Sequence, residues 1–266
     1  MDDRLPELLA FLDAQRARQA PHFPTVKFDK VLSFMSTTSV AGSLAGVGVR
    51  RLVGLEAAGE RELVVRLAGP LPRPPGPGDC VTVHLTRVDQ YRGFQIKTGP
   101  LPDAAAAAAA VTEEGGVLRV RGSQIYTVHH SPYTMKFFER IPHEEVLETV
   151  GQVSHALVAV GETANLSPRF IFRHEERTGR PALFHGDGLA LKTYMNLKLN
   201  RQETRLVLDL DTWSGWALKG TVEEWQPHQR PEIYETICAG FAAGGWGKPS
   251  RVFRLVADSW APIGPA

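Results

Sequence analysis

An internal repeat constrains the fold of this 266-residue chain more than any other feature of its sequence. The segments DQYRGFQIK (Asp89–Lys97) and DTWSGWALK (Asp211–Lys219) share the pattern D-x-x-x-G-[aromatic]-x-[aliphatic]-K. Each is followed by a predicted helix and then by a strand of the form apolar-apolar-Arg-apolar, VLRV at 117–120 and VFRL at 252–255. An element order shared over this length predicts a duplicated domain of about 110 residues rather than a solenoid repeat.

Short β-type runs separated by Gly, Pro and charged turns make up most of both halves. Six short strands with mostly local connections are typical of a small closed β-barrel. We therefore expect a mainly β chain with short helices, organised as a helical segment at 1–24, a first barrel at 25–141 and a second barrel at 142–266.

The two halves differ at one position in their order of elements. The second half has the helical segment LALKTYMNLKLN at 189–200, where the first half has only the proline-rich loop PLPRPPGPGD at 70–79. Proline at this density excludes a central strand or a helix. Whatever the helix binds is therefore expected once per chain.

Composition excludes several classes of function. Lys and Arg number 30 against 29 Asp and Glu, so no polybasic nucleic-acid binder is expected. No apolar run is long enough for a transmembrane helix, and the acidic N-terminus lacks the basic region of a signal peptide. We expect a cytoplasmic protein that binds neither nucleic acid nor membrane. Its two cysteines form no CxxC metal site, and the motifs of serine hydrolases, zincins and nucleotide triphosphatases are absent.

The turn before the helical segment has the character of a phosphate site. A helix that begins after HGDG presents unpaired backbone N–H groups and the positive end of its dipole, where phosphate binds well. Lys192 adds a charge and Thr193 a hydroxyl donor, while Gly186 and Gly188 would let the backbone approach a ligand. Asp187 would compete with a phosphate unless it caps the helix. A solvated surface helix with an outward lysine is the alternative.

The second half resembles the FMN-binding split β-barrel family typified by pyridoxamine 5'-phosphate oxidase. The resemblance covers roughly residues 144–260 and is most specific around Lys192, the Asn-Leu-x-x-Asn-type segment Asn196–Asn200 and the strand Leu218–Glu223. It implies that each half is a split β-barrel, that the two form an intrachain pseudo-dimer, and that Lys192 binds the flavin phosphate.

The resemblance also implies further residues of a flavin site. An Arg in the second strand of the family's barrel contacts the phosphate, which points to Arg169, although strand alternation leaves open which side Arg169 faces. Because the flavin lies between two barrels in the family, the first half would contribute part of the wall. The expected cofactor-binding residues are Lys192, Thr193, Gly186, Asp187, Gly188, Asn196, Arg169, Lys97, Gln95 and Trp260.

Three histidines are candidates for catalysis. His129 and His130 lie in the polar and aromatic run YTVHHSPYTMKFFER, and His185 immediately precedes the phosphate turn. The adjacent pair could bind substrate or transfer a proton. A metal or haem site at the pair is the least favoured reading, because it needs a third ligand and neighbouring residues on a strand point to opposite sides, so no metal is expected. Hydrogen bonding within the fold is the alternative for all three.

Three functional hypotheses follow from the sequence. The first is an FMN-dependent oxidoreductase that acts on an unidentified small molecule and could assemble as a homodimer of pseudo-dimers. The second is a non-catalytic protein that binds flavin or haem. The third is a split-barrel protein that has lost its cofactor.

Overall fold

The computed structural model describes residues 4–19, 33–36, 44, 46–59, 62–87, 92–111, 116–121, 124–129, 155–162, 164–169, 173–187, 191–243 and 247–264. The chain forms two compact units. Unit 1 comprises Met1–Thr37 and Ser167–Ile263, and unit 2 comprises Thr38–Leu166 and Gly264–Ala266. Among the described residues, no helix has the length and hydropathy needed to cross a membrane.

The elements in chain order are α1 Leu5–Gln19, β1 Ser33–Ser36, β2 Val47–Gly59, β3 Glu62–Leu67, β4 Cys80–Arg87, β5 Arg92–Lys97, α2 Ala104–Ala110, β6 Val117–Arg121, β7 Gln124–His129, β8 His155–Gly161, β9 Leu166–Arg169, β10 Arg173–Arg177, β11 Arg180–Asp187, α3 Leu191–Leu199, β12 Gln202–Asp209, β13 Ser214–Trp225, α4 Pro231–Ala243 and β14 Arg251–Ile263. Strand order is β10-β11-β14-β13-β12-β1-β9 in unit 1 and β6-β3-β2-β8-β4-β5-β7 in unit 2. Both sheets are antiparallel and curled, as split β-barrels are, which confirms the predicted fold class.

The internal repeat is visible in the pairing of the strands. In the hairpin β4–β5 Thr82 pairs with Lys97, and in the hairpin β12–β13 Thr204 pairs with Lys219. The two hairpins keep the same register along their whole length. The final strands keep it too, because Lys97 pairs with Gln124 of β7 as Lys219 pairs with Ser259 of β14. Strands β6 and β7 together therefore correspond to the single long strand β14.

The first strand of each sequence repeat belongs to the barrel of the other repeat. In unit 2, β8 pairs with β2 and β4, both of which precede it in the chain. In unit 1, β1 pairs with β12 and neighbours β9. In a simple tandem duplication β1 would complete the first barrel and β8 the second, so the two strands have changed places.

This exchange alters the predicted division of the chain. The sequence reading assigned the run at 154–161 to the second barrel, whereas the structure places β8 in unit 2 with the strands of the first. The physical reason is that a short apolar strand fits any sheet with an open edge, and its pattern does not encode its partner. The predicted boundary between residues 141 and 142 itself lies outside the described residues. The predicted N-terminal segment is not separate either, since Leu5, Leu8 and Leu12 of α1 lie in the core of unit 1.

Each barrel is filled by residues that alternate along its strands. The core of unit 2 is aliphatic and includes Val81, Val83 and Leu85 from one face of β4. The short helix α2 packs there through Ala107 and Ala110. Asp103 caps α2, because its side chain accepts a hydrogen bond of 2.8 Å from the N–H of Ala106.

Candidate functional site

Four charged or polar side chains line the inner face of the unit 1 barrel. On β11 Leu183 lies in the core, so the alternation places His185 and Asp187 on the same inner face. On β12 Val207 lies in the core, which places Glu203 and Arg205 on that face too. All four are at most 2% exposed. Burying this many ionisable groups costs free energy unless they pair with each other or bind something.

Arg205 joins two of these groups: its Nη2 contacts both of them, and its Nε also donates to Oε1 of Glu203 at 2.8 Å. Its Nη2 donates to Oε1 of Glu203 at 2.5 Å and lies 2.9 Å from Nδ1 of His185. A guanidinium nitrogen can only donate, so Nδ1 of His185 must accept. The hydrogen of the neutral imidazole is therefore on Nε2. Neither Nε2 of His185 nor Oε2 of Glu203 has a hydrogen-bond partner among the described residues.

His185 is held neutral by its surroundings. Burial lowers the pKa of His185 well below its ordinary value of 6.5, and the charges of Arg205 and Arg169 lower it further. At neutral pH this histidine is a hydrogen-bond donor through Nε2 rather than a source of protons. Its candidate catalytic role stays a prediction.

A second ionic group adjoins the first at the end of β11. One oxygen of Asp187 lies 3.6 Å from Nη2 of Arg169, and the other lies 3.7 Å from Nη1 of Arg251. Arg169 thus faces the same buried layer as Asp187, which answers the question that strand alternation left open. Burial lowers the pKa of Arg169, and the charge of Asp187 opposes that shift.

Helix α3 begins four residues after the end of β11. Its Thr193 is buried and its Leu197 reaches the core of unit 1, so this helix is docked rather than solvated all round. The guanidinium of Arg251 lies over the ring of Tyr194, 3.6 Å from the ring centroid. Arg251 therefore connects the first turns of α3 to Asp187. Since Asp187 is the last residue of a strand, it does not cap the helix.

Three further predicted phosphate-site residues belong to α3 or to the turn before it. Lys192 is in the first turn of α3, and its side chain lies outside the described residues. Gly188 also lies outside them. Asn196 is half-buried, and its backbone carbonyl accepts from the N–H of Asn200 at 2.8 Å.

Gly186 has a role in packing rather than the predicted role at a ligand. A Cβ atom at this position would lie 2.4 Å from Cε2 of Phe241 and 2.9 Å from Cγ2 of Ile237. Both residues belong to α4, which packs against the outer face of β11. The absence of a side chain therefore allows α4 to approach the strand closely.

Two of the predicted flavin-wall residues lie in unit 2 and bond within it. Nζ of Lys97 donates to Oδ1 of Asn165 at 2.6 Å and to the carbonyl of Ala164 at 3.3 Å. The side-chain amide of Gln95 donates to the carbonyl of Leu166. Both residues thus hold the segment that follows β8. Their contribution to a flavin pocket stays a prediction, as does the pseudo-dimer.

The remaining predicted residues separate into core and undescribed positions. Trp260 packs in the core of unit 1. His129 pairs with Arg92 through its backbone in β7, and its side chain lies outside the described residues, as does the whole of His130. Their catalytic roles therefore stay predictions.

Sequence reasoning missed Glu203, Arg205 and Arg251. A signal for the first two was present in the repeat, where the matched hairpins align E-x-R-x-V of β12 with V-x-V-x-L of β4. Charged residues at positions that are aliphatic in the sister repeat indicate a functional difference. For Arg251 no comparable signal was present, because its role depends on the fold bringing the start of β14 beside Asp187.

Comparisons with known proteins give limited guidance. No protein-family model matches this chain, and neither does any curated protein sequence. One similar solved structure is a Clostridium acetobutylicum protein related to general stress protein 26 of B. subtilis, described as pyridoxinephosphate oxidase family. It has 13% identity over 38% of this chain and 70% of that chain, with a TM-score of 0.31. Another is HupZ of Group A Streptococcus, with 17% identity over 39% of this chain and 79% of that chain and a TM-score of 0.30. At this similarity, functional inference depends on the residues of the site.

Proposed function

We propose that unit 1 binds one FMN per chain and that the protein is an oxidoreductase acting on a small molecule. One observation carries the proposal: Arg169 and Arg251 converge on the single carboxylate of Asp187 beside the start of α3. Glu224 also lies 3.9 Å from Nε of Arg251, so carboxylates offset the two guanidinium charges, and the further positive charge that would favour an anion comes from Lys192 and the start of α3.

The residues present suit a phosphate group. Guanidinium groups recognise phosphate through paired N–H donors, and the first turn of a helix adds backbone donors and its dipole. Lys192, in the first turn of α3, adds a further charge to this end of the helix. Asp187 opposes a phosphate less than expected from the sequence, because its charge is offset by the two arginines.

FMN bound there would supply hydride or electron transfer through its ring system. The residues of the chain would bind the phosphate, orient the ring and exclude water. Arg169, Arg251, Lys192 and Thr193 are assigned to phosphate binding. The substrate is a small molecule whose chemical class the flavin site leaves open.

The tautomer of His185 bears on haem ligation by this residue. Haem iron is held by an unprotonated imidazole nitrogen. In His185 Nε2 carries the hydrogen, and Nδ1 accepts from Nη2 of Arg205. His185 as arranged here is therefore unsuited to bind iron.

The test is an FMN titration of Lys192→Ala with a lysine from the same helix as its control. Loss of a charged hydrogen bond to the phosphate should weaken FMN binding by about 1–3 kcal/mol. Lys198→Ala removes an exposed lysine that pairs with Glu224 at 3.0 Å, and because Glu224 also faces Arg251, its effect on FMN affinity should be much smaller than that of Lys192→Ala rather than zero. Equal affinity in the wild type and Lys192→Ala would remove Lys192 from the site.

A further inference from the structure

The guanidinium of Arg251 rests on an aromatic ring of α3. Its Cζ atom lies 3.6 Å from the centroid of the Tyr194 ring, and a carbon this close to the centroid lies above the face of the ring. Its Nη1 donates to Oγ of Ser250 at 3.3 Å. The two neighbouring carboxylates are further away, with Asp187 3.7 Å from Nη1 and Glu224 3.9 Å from Nε. At these distances neither carboxylate accepts a direct hydrogen bond.

Contact through the face of a guanidinium leaves its hydrogen-bond donors available. The five N–H donors of an arginine lie in the plane of the group and point away from its edges, whereas an aromatic ring contacts the face. A carboxylate bonded directly to Arg251 would occupy an edge and compete with a phosphate. The side chain of Arg251 is 29% exposed, so a ligand can reach it.

The ring of Tyr194 is itself held by the core of unit 1. Tyr194 packs against this core, and its ring centroid lies 6.5 Å from that of the core residue Phe253. Thr193 and Leu197 of the same helix are buried. The contact therefore ties Arg251 to the start of α3, whose first turn contains Lys192.

Glu224 is bonded to a lysine of α3 rather than to Arg251. Its Oε2 accepts a hydrogen bond from Nζ of Lys198 at 3.0 Å, and its Oε1 is the atom that lies 3.9 Å from Nε of Arg251. Since the direct bond goes to Lys198, the stacked contact with Tyr194 is what fixes the Arg251 guanidinium on this side.

Neither member of the stacked pair has a counterpart in unit 2. Arg119 and Arg254 are the matched arginines of the repeat, so Gly116 occupies the position of Arg251. The proline-rich loop at 70–79 replaces α3. The pair therefore accompanies the helix to which the phosphate site is assigned.

We propose that Tyr194 is a positioning residue for the phosphate site, because its ring holds Arg251 by the face and leaves the N–H edges for the phosphate. An arginine that is already fixed loses less conformational freedom when a ligand binds. The inference rests on the proposed function, in which Arg251 binds the phosphate of FMN.

The test is a double-mutant cycle of FMN titrations on the full chain. It compares the wild type with Tyr194→Leu, Arg251→Ala and the variant that carries both substitutions. Tyr194→Phe is the matched control, because it keeps the aromatic face. Leucine is apolar and favours a helix, so Tyr194→Leu is expected to fold.

We expect Tyr194→Leu to weaken FMN binding by about threefold to tenfold, the effect of losing a partly exposed cation–π contact. Tyr194→Phe should bind FMN like the wild type. In the Arg251→Ala background Tyr194→Leu should cause no further loss, because the group that it positions is already absent. A purely structural role in docking α3 would weaken binding equally in both backgrounds.

Three results would overturn the inference while leaving FMN binding in place. They are wild-type affinity in Tyr194→Leu, equal losses from Tyr194→Leu in both backgrounds, and a Tyr194→Phe variant as weak as Tyr194→Leu. A wild type that binds no FMN, or an Arg251→Ala variant with wild-type affinity, would instead remove the proposed phosphate site, and the positioning role with it.

Discussion

The two barrels share one strand order and one register, but among the described residues only the apolar interior of unit 1 also carries a layer of ionisable side chains. In unit 1 the inner face carries His185, Asp187, Glu203 and Arg205. The matching positions in unit 2 follow from strand pairing. Arg119 and Arg254 are the matched arginines of the repeat, and their partners are Val64 and Phe184, so Val65 matches His185. The matching residues are Val65, Leu67, Val81 and Val83, which are all buried in an aliphatic core.

This difference separates the demands of folding from those of function. In unit 2 the described residues at the matching positions are all aliphatic. The ionic layer of unit 1, by which we mean His185, Asp187, Glu203 and Arg205, is therefore not required to build the barrel. Buried ion pairs commonly cost as much free energy as they return, so stability does not account for this layer. The same reasoning makes unit 1 the place to look for ligands.

The largest expected effect comes from removing one member of the ionic layer. Arg205→Val leaves Glu203 buried without its cation, and the variant should lose about 3–5 kcal/mol of unfolding free energy. Chemical denaturation of the full chain measures it. A loss below about 1 kcal/mol would show that solvent or a neighbouring group replaces Arg205.

The matched control replaces His185, Glu203 and Arg205 together and leaves Asp187 with its partners Arg169 and Arg251. The triple variant His185→Val, Glu203→Val, Arg205→Val should recover the loss and equal the wild type or exceed it by about 1–4 kcal/mol. This outcome would show that unit 1 can be filled in the way of unit 2. A triple variant as unstable as Arg205→Val alone would break the equivalence of the two interiors.

A smaller effect is expected on the outer face of the sheet in unit 2. Burial, followed by the charge of Lys97, lowers the pKa of His84 from 6.5 to about 3. Below pH 6.5 the unfolded chain therefore binds a proton at this residue while the folded chain does not. As the pH is lowered from 6.5, the free energy of unfolding decreases. The variant His84→Leu introduces the residue found at the matching position of unit 1, Leu206. Between pH 6.5 and about pH 5 it should lose about 2 kcal/mol less unfolding free energy than the wild type.

The measurement is denaturation of the wild type and His84→Leu at several pH values. His155, His174 and His185 also have lowered pKa values, so the wild type keeps several sources of acid sensitivity. Only the difference between the two slopes reports on His84. Parallel slopes would mean that His84 is protonated in the folded protein.

The smallest expected effect concerns a helix cap in unit 2. Asp103→Ala removes the side chain that caps α2, and the free energy of unfolding should fall by about 1 kcal/mol. Asp103→Asn keeps a capping oxygen and should restore most of the loss. If both variants unfold like the wild type in denaturant, the packing of Ala107 and Ala110 alone holds this helix.

The sequence was sufficient for the repeat, the β-barrel class and the helix at Lys192, because spacing and glycine positions encode local structure. It could not reveal the exchange of β1 and β8, since a strand such as SFMS carries no information about its partner. It also missed Glu203 and Arg205. Alternation assigns charged residues to the solvent face, and here they occupy the core face.

The side of Arg169 needed three-dimensional information. Its own strand is short and offered two readings, and only the position of Asp187 on another strand decided between them. Gly186 shows the opposite case, in which a plausible ligand role is replaced by packing against α4. Contacts between residues far apart in the sequence decided the side that Arg169 faces and the packing role of Gly186.

The most direct test of the central claim, that unit 1 alone carries the flavin site, is the stoichiometry of FMN binding to the full chain. Absorption and equilibrium titration should give one FMN per chain in the wild type. Binding should be weakened in Arg251→Ala and unchanged in Arg66→Ala, which removes an exposed arginine that pairs with Glu56 in unit 2. Two FMN per chain, or binding that depends equally on both arginines, would contradict the claim, and so would a chain that binds no FMN.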